Sequence, residues 1–172
     1  MATSLFLGGA RSGKSRLAQQ ACEVLVGPWT YLATAEAWDG EMTDRIARHR
    51  ADRDTRWRTV ECPLALPEAV AAIEDGAILI DCLTLWLTNV MLGEHDVAAR
   101  SDALLAALAA TPLPLFVVSN EVGLGIVPDH PLGRAFRDAA GRLNQQVAAA
   151  MRDVYFVAAG MVLPLHPYPP HG

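Results

Sequence analysis

The stretch Gly8-Gly9-Ala10-Arg11-Ser12-Gly13-Lys14-Ser15 constrains this chain more than any other, because it fits G-x-x-x-x-G-K-[ST] between a β-leaning run and a helical segment. The run before it is Ser4 to Leu7, and the helix is expected to begin around Lys14. Glycines let the backbone turn tightly enough for successive N–H groups to converge on phosphate oxygens, and the following helix adds its positive end. On this reading Lys14 reaches the β- and γ-phosphates of a nucleoside triphosphate, and the Ser15 hydroxyl ligates Mg²⁺. The plain alternative is a glycine-rich turn with an incidental lysine. Composition weighs against it: lysine and arginine together number 14, and Lys14 is the single lysine. In a chain that otherwise uses arginine, the surviving lysine marks a place where a compact ammonium does what a broad guanidinium cannot.

Short apolar runs alternate with helical stretches along the rest of the chain. Trp29 to Leu32, Arg58 to Glu61, Ala77 to Asp81, Leu115 to Val118 and Val154 to Val157 read as further strands, with Met161 to Leu163 as a candidate antiparallel hairpin partner. Runs this continuous fit strands covered on both faces. Leu132, Phe136, Ala140, Leu143, Val147 and Met151 recur at spacings of three and four, an apolar stripe on a helix exposing Arg134, Arg137 and Gln145. Leu104, Leu105 and Leu108 do the same between Asp96 and Thr111. The expectation is a single P-loop NTPase-type α/β domain over residues 1–166, with a mainly parallel sheet flanked by helices and a loose tail over 167–172. Its ligand site belongs at the carboxyl ends of the strands.

At 52% hydrophobic and 19% charged residues, a chain of 172 residues can bury a full core without staples. A net charge of −5 argues against a surface that coats nucleic acid, although Arg45, Arg48, Arg50, Arg53, Arg56 and Arg58 form a local basic patch. Cys22, Cys62 and Cys82 lie far apart with no CxxC pair, which suits reduced core thiols. Leu5-Phe6-Leu7 is too short for a signal-peptide core, and no apolar run approaches bilayer length. A cytoplasmic protein without a membrane span is expected.

Two further positions carry chemistry. Asp81 closes the apolar run Ala77 to Ile80, where a carboxylate holds a metal through water in Walker-B fashion; without the phosphate loop it would read as an N-cap for the helix starting near Leu83. Arg45, His49 and Arg53, spaced by four, share one face of a helical stretch from Glu41 to Arg53. Flanking cations disfavour the imidazolium, so the His49 ring stays neutral and nucleophilic near neutral pH. Periodicity alone equally fits a solvated face in which Glu41 pairs with Arg45 and Asp44 with Arg48.

The order of motifs adds a family resemblance. The phosphate loop, Ala33-Thr34-Ala35, His49-Arg50-Ala51-Asp52-Arg53, Trp57 to Glu61, Asp81-Cys82-Leu83-Thr84 with Asn89, Ser119 to Pro128, and Phe136 to Gln145 follow one another. Together they closely resemble the bifunctional adenosylcobinamide kinase / adenosylcobinamide-phosphate guanylyltransferases of cobalamin synthesis, from Leu5 to about Gly160. The segments after Asn120 and Phe136 are far more specific than the phosphate loop, which unrelated enzymes share. The resemblance implies phosphorylation of a hydroxyl on adenosylcobinamide, then GMP transfer from GTP onto that phosphate, with ATP and GTP as substrates. His49 would carry GMP as a phosphoramidate. The loop Gly8 to Ser15, Ala33, Thr34, Ala35, Arg50, Ala51, Asp52, Arg53, Glu61 and Asp81 would bind nucleotide, and a homotrimer is implied.

Some positions depart from the family pattern. Asp81 stands where some relatives carry glutamate, Arg48 where a second histidine can sit, and Leu92 to Pro114 is shorter and richer in alanine. Glu121 reads as a general base for the substrate hydroxyl or as a residue that orients its loop, while Gly123 and Gly125 read as permitting an unusual turn. Two rival functions follow from the residues. One is a different P-loop small-molecule kinase in which His49 merely steers phosphates. The other is a nucleotide-switched binding protein, against which stands the absence of any N-K-x-D motif.

Overall fold

The computed structural model describes residues 2–36 and 55–167. Seven strands form one sheet: β1 (Thr3–Gly8), β2 (Trp29–Ala33), β3 (Trp57–Glu61), β4 (Ala77–Asp81), β5 (Leu115–Asn120), β6 (Asp153–Ala158) and β7 (Met161–Leu165). Their order is β3-β2-β4-β5-β1-β6-β7. Every pairing is parallel except β6 with β7, the expected C-terminal hairpin. The helices are α1 (Lys14–Glu23), α2 (Leu66–Ala71), α3 (Leu83–Leu92), α4 (Val97–Ala110) and α5 (Pro131–Ala150).

Strand periodicity divides the core between two faces. Leu5, Ile78, Ile80, Leu115 and Val117 point to a cluster that also takes Leu66, Trp86, Leu104, Leu143 and Val147 from α2 to α5. Phe6, Tyr31, Leu79, Phe116 and Val118 point the other way, against Ala18 and Cys22 of α1. Trp86 is fully buried and its indole N–H donates to the Leu64 carbonyl at 3.1 Å, so its large apolar surface enters the core without stranding its one polar atom.

Coverage on both faces holds for β2, β4 and β5, whose residues are buried almost throughout. It fails for β3 and β7, which are exposed over most or all of their length because they form the two edges of the sheet. The stripe on α5 also needs correction. Leu132 is exposed, since the first turn of α5 runs beyond the core, while Arg134 and Arg137 are half-buried. Arg134 donates to the carbonyls of Pro128 and Asp129, and Arg137 pairs with Asp138 at 3.0 Å. Between Asp96 and Thr111 the reading holds: α4 buries Leu104 and Leu108, and the Asp96 side chain caps it by accepting from the Ala99 N–H.

All three cysteines are buried and free. Burial pushes the thiols of Cys22 and Cys62 up to about 12, which keeps both protonated. Of the described arginines in the basic patch, Arg58 pairs with Asp75 and Arg56 stacks on Trp29. Both sit at the start of β3, the end of the sheet opposite its carboxyl edge. No helix among the described residues is long and apolar enough to cross a membrane.

Candidate active site

The phosphate loop leaves the carboxyl end of β1 and enters α1 at Lys14. Two residues adopt left-handed backbone, Arg11 at φ 57° and Gly13 at φ 97°, and Gly13 is the N-cap of α1. No side chain caps that helix, so its N-terminal amides and its positive end face the loop rather than a carboxylate. Lys14 is 7% exposed, and its ammonium donates to the Gly9 carbonyl at 2.9 Å, spanning the loop. Gly9, Ala10 and Arg11 are exposed at the crest, and Ser15 is half-buried on the first helical turn.

Ser12 is the exception within this loop. Its hydroxyl is buried and has no hydrogen-bond partner among the described residues, and it lies 2.8 Å from the position that a Cβ on Gly8 would occupy. An unpartnered buried hydroxyl costs free energy unless a ligand satisfies it. Ser12→Ala is therefore expected to leave thermal stability unchanged or raised while weakening triphosphate binding by about three- to tenfold. Calorimetric titration beside thermal unfolding checks both parts, and a fall in both would mark the hydroxyl as merely structural.

The neighbouring strand ends form a dense polar network. Asp81, the last residue of β4, accepts from the Tyr31 hydroxyl at 2.7 Å and does not cap α3, whose N-cap is Cys82. The Thr34 hydroxyl clamps Cys82 twice, accepting from its N–H at 2.8 Å and donating to its carbonyl at 2.7 Å. The Asn89 amide donates to the carbonyls of Thr34 and Pro63, tying α3 across the edge of the sheet. On β5, the Asn120 amide donates to the Thr84 hydroxyl at 2.7 Å, and Ser119 donates to the Asn144 side chain at 2.6 Å. Burial, and then the Asp81 charge, push the Cys82 thiol up to about 11, so Cys82 is a protonated packing residue and not a thiolate nucleophile.

These contacts place the expected residues in two groups along one edge. Gly8 to Ser15 form the first, at the end of β1. Ala33, Glu61 and Asp81 stand side by side in register at the ends of β2, β3 and β4, with Thr34 and Ala35 following. Since β5 lies between β4 and β1, strand spacing puts Asp81 about 10 Å from the strand that carries the phosphate loop. That separation suits a carboxylate acting on a metal through water. Glu61 lies four strand spacings away, roughly 19 Å from β1. His49, Arg50, Ala51, Asp52 and Arg53 lie outside the described residues, as does the tail from residue 168.

Ser15 and Asp81 are hard oxygen donors of the kind Mg²⁺ takes, in the small number it needs when phosphates and water complete its shell. Among the described residues there is no cluster of three or more His, Cys, Asp or Glu that would serve a cation needing a protein cage. Glu121 accepts from the Gly123 N–H through Oε1, so here its carboxylate orients its own loop. Neither Gly123 nor Gly125 has a positive φ, against the expectation of an unusual turn. Gly123 instead permits close approach, since a Cβ there would stand 2.9 Å from Glu121 Oε1. Sequence reasoning also missed Tyr31 and Asn144, whose partners are 50 and 25 residues away and leave no local pattern.

The family described as cobinamide kinase / cobinamide phosphate guanyltransferase matches residues 4–165. The bifunctional adenosylcobalamin biosynthesis protein CobP of Pseudomonas aeruginosa is 46% identical over 165 residues, covering 94% of this chain and 95% of that protein. The bifunctional adenosylcobalamin biosynthesis proteins CobU of Salmonella typhimurium and Escherichia coli are 42% and 40% identical, each alignment covering 91% of this chain and 96% of the relative.

Proposed function

The chain belongs to the cobinamide kinase / cobinamide phosphate guanyltransferase family, and from that premise we propose that it acts on adenosylcobinamide in two steps. In the first, a nucleoside triphosphate phosphorylates a hydroxyl of adenosylcobinamide. In the second, GMP passes from GTP to that phosphate through a guanylyl-histidine on His49, giving adenosylcobinamide-GDP and pyrophosphate. The observation that carries this reading is the phosphate loop at the end of β1, with its buried Lys14 and the uncapped start of α1.

For phosphoryl transfer, the loop amides and Lys14 hold the β- and γ-phosphates in line with the acceptor oxygen. The bond from the bridging oxygen to the γ-phosphorus breaks as the acceptor oxygen bonds to that phosphorus, the hydroxyl proton passes to solvent water, and the nucleoside diphosphate leaves with the bonding electron pair. Ser15 and Asp81 would hold Mg²⁺, which supplies neutralisation of phosphate charge when bound. Fixed amides and a fixed ammonium act here as a preorganised field, the term that usually contributes most to such transfers.

For guanylyl transfer, a neutral His49 nitrogen bonds to the α-phosphorus of GTP as the bond to the bridging oxygen breaks, and pyrophosphate departs with the electron pair. Neighbouring arginines favour the uncharged ring that this attack requires. A phosphate oxygen of adenosylcobinamide phosphate then attacks the same phosphorus, the P–N bond breaks and the imidazole is restored. Ala33 to Ala35, Arg50 to Arg53, Glu61 and Asp81 bind nucleotide in this scheme. A homotrimer in the cytoplasm, with ATP and GTP as substrates, completes the proposal.

The test is stoichiometric. Purified protein given adenosylcobinamide, ATP and Mg²⁺ is expected to form adenosylcobinamide phosphate, and adding GTP to release one pyrophosphate for each adenosylcobinamide-GDP formed. Phosphorylation without pyrophosphate release would leave a kinase alone. Nucleotide turnover indifferent to cobinamide would point to a switch.

A further inference from the structure

The phosphate loop leans on a part of the chain that the catalytic scheme does not use, the turn of the C-terminal hairpin. Ala158 pairs with Met161 across β6 and β7, leaving Ala159 and Gly160 as a two-residue connection. Both have positive φ, 52° and 76°, as a type I′ turn requires. An L-residue other than asparagine or aspartate rarely adopts this region, so the turn holds Ala159 in an unfavourable conformation. Strain of this kind is kept where the surrounding structure needs the geometry it produces.

The geometry delivers the Gly160 N–H to the Ser12 carbonyl at 2.8 Å. Among the described residues only one other backbone hydrogen bond reaches residues 9–13 from another element, that of the Leu17 N–H of α1 to the Gly13 carbonyl at 3.1 Å, so Gly160 supplies the one that comes from outside the loop and the helix it enters. Contact between the turn and the loop is close elsewhere too. A Cβ on Gly13 would stand 3.2 Å from the Gly160 Cα, and one on Gly8 would stand 2.3 Å from the Val157 carbonyl oxygen of β6. The hairpin strand and its turn therefore support the loop from Gly8 to Gly13.

We infer that Gly160 is a positioning residue for triphosphate binding: by fixing the Ser12 carbonyl it sets the direction in which the Gly13 N–H faces the phosphates. The Ser12 carbonyl and the Gly13 N–H belong to one planar trans peptide unit and point in opposite directions. Anchoring the carbonyl to Gly160 turns the amide to the other side of that plane, and a loop whose amides are already aimed loses less freedom when it binds. The inference rests on the phosphate-loop reading above, but concerns phosphate binding alone and needs no corrinoid.

Gly160→Val and Gly160→Asn separate geometry from bulk. Valine strongly disfavours positive φ, whereas asparagine tolerates it and keeps the N–H. A Cβ at residue 160 is sterically acceptable, since its nearest neighbour is Arg16 Nη2 at 3.6 Å. Binding is measured by calorimetry with GTP and with inorganic tripolyphosphate, each with Mg²⁺, well below the unfolding temperature of every variant. Gly160→Val is expected to bind both probes about tenfold more weakly, as one misdirected amide-to-anion hydrogen bond would cause, with Gly160→Asn within about twofold of wild type. Equal affinity in the valine variant, or an equal loss in the asparagine variant, overturns the inference. If the valine variant fails to fold, hydrogen exchange in the wild-type protein decides: tripolyphosphate is expected to slow exchange of the Gly160 amide together with those of the loop, and slowing of the loop amides alone overturns it. A wild-type protein that binds neither probe refutes instead the phosphate-loop reading.

Discussion

Lys14→Ala is expected to remove both the kinase and the guanylyltransferase activities, each by about 10²–10³-fold in kcat/KM, the scale seen when one fixed donor to a developing oxyanion is lost. The ammonium is already held inside the loop, 7% exposed and bonded to the Gly9 carbonyl. Arginine is not expected to rescue it, because a planar guanidinium does not fit a cradle built around a compact cation. Fold stability is expected to change little by comparison, since the surrounding loop is tied to β6, to the Gly160 turn and to the residue after β5, where the Glu121 N–H donates to the Gly8 carbonyl at 3.0 Å. Steady-state assays of both half-reactions, beside thermal unfolding, check this. A variant that keeps guanylyl transfer while losing the kinase would show that GTP is held elsewhere.

His49→Ala is expected to divide the two activities. Guanylyl transfer should fall by about 10³-fold or more, since the nucleophile that forms its covalent intermediate is removed, while phosphorylation of adenosylcobinamide stays within a few-fold of wild type. The described site contains no rival thiolate, because Cys82 is buried and its thiol pushed up to about 11. Equal loss of both activities would instead make His49 a residue that orients triphosphates in general.

Much of this was legible locally. The motif Gly13-Lys14-Ser15 marks the start of α1 at Lys14, and Ala77 to Asp81 is the fourth strand with the bounds its apolar run gives. Such features are set by neighbours in the chain, through a turn, a cap or a hydrophobic period. What escaped is made of partners distant in sequence. Strand β5 runs on to Asn120 because Ser119 and Asn120 pair with Leu7 and Gly8 of β1, while their side chains find Asn144 and Thr84, 25 and 36 residues away. Asp81 carries the same carboxylate whether it caps a helix or accepts from Tyr31, and only the pairing of β2 with β4 distinguishes the two. Likewise, nothing in Ala159-Gly160 signals that their turn supports a loop nearly 150 residues earlier. Leu132 misled for the converse reason: its helical spacing is correct, but the first turn of α5 extends past the core that would have buried it.

The claim on which the account turns is that one polypeptide both cradles a triphosphate and is itself guanylylated. Intact-mass analysis of the purified protein after exposure to GTP and Mg²⁺, followed by peptide mapping, tests it in a single sample. The account predicts a mass increase of one guanylyl group, placed on His49, labile in acid and stable in alkali, and discharged by adenosylcobinamide phosphate. An unmodified mass in a preparation that still produces adenosylcobinamide-GDP, or an adduct on another residue, would contradict it.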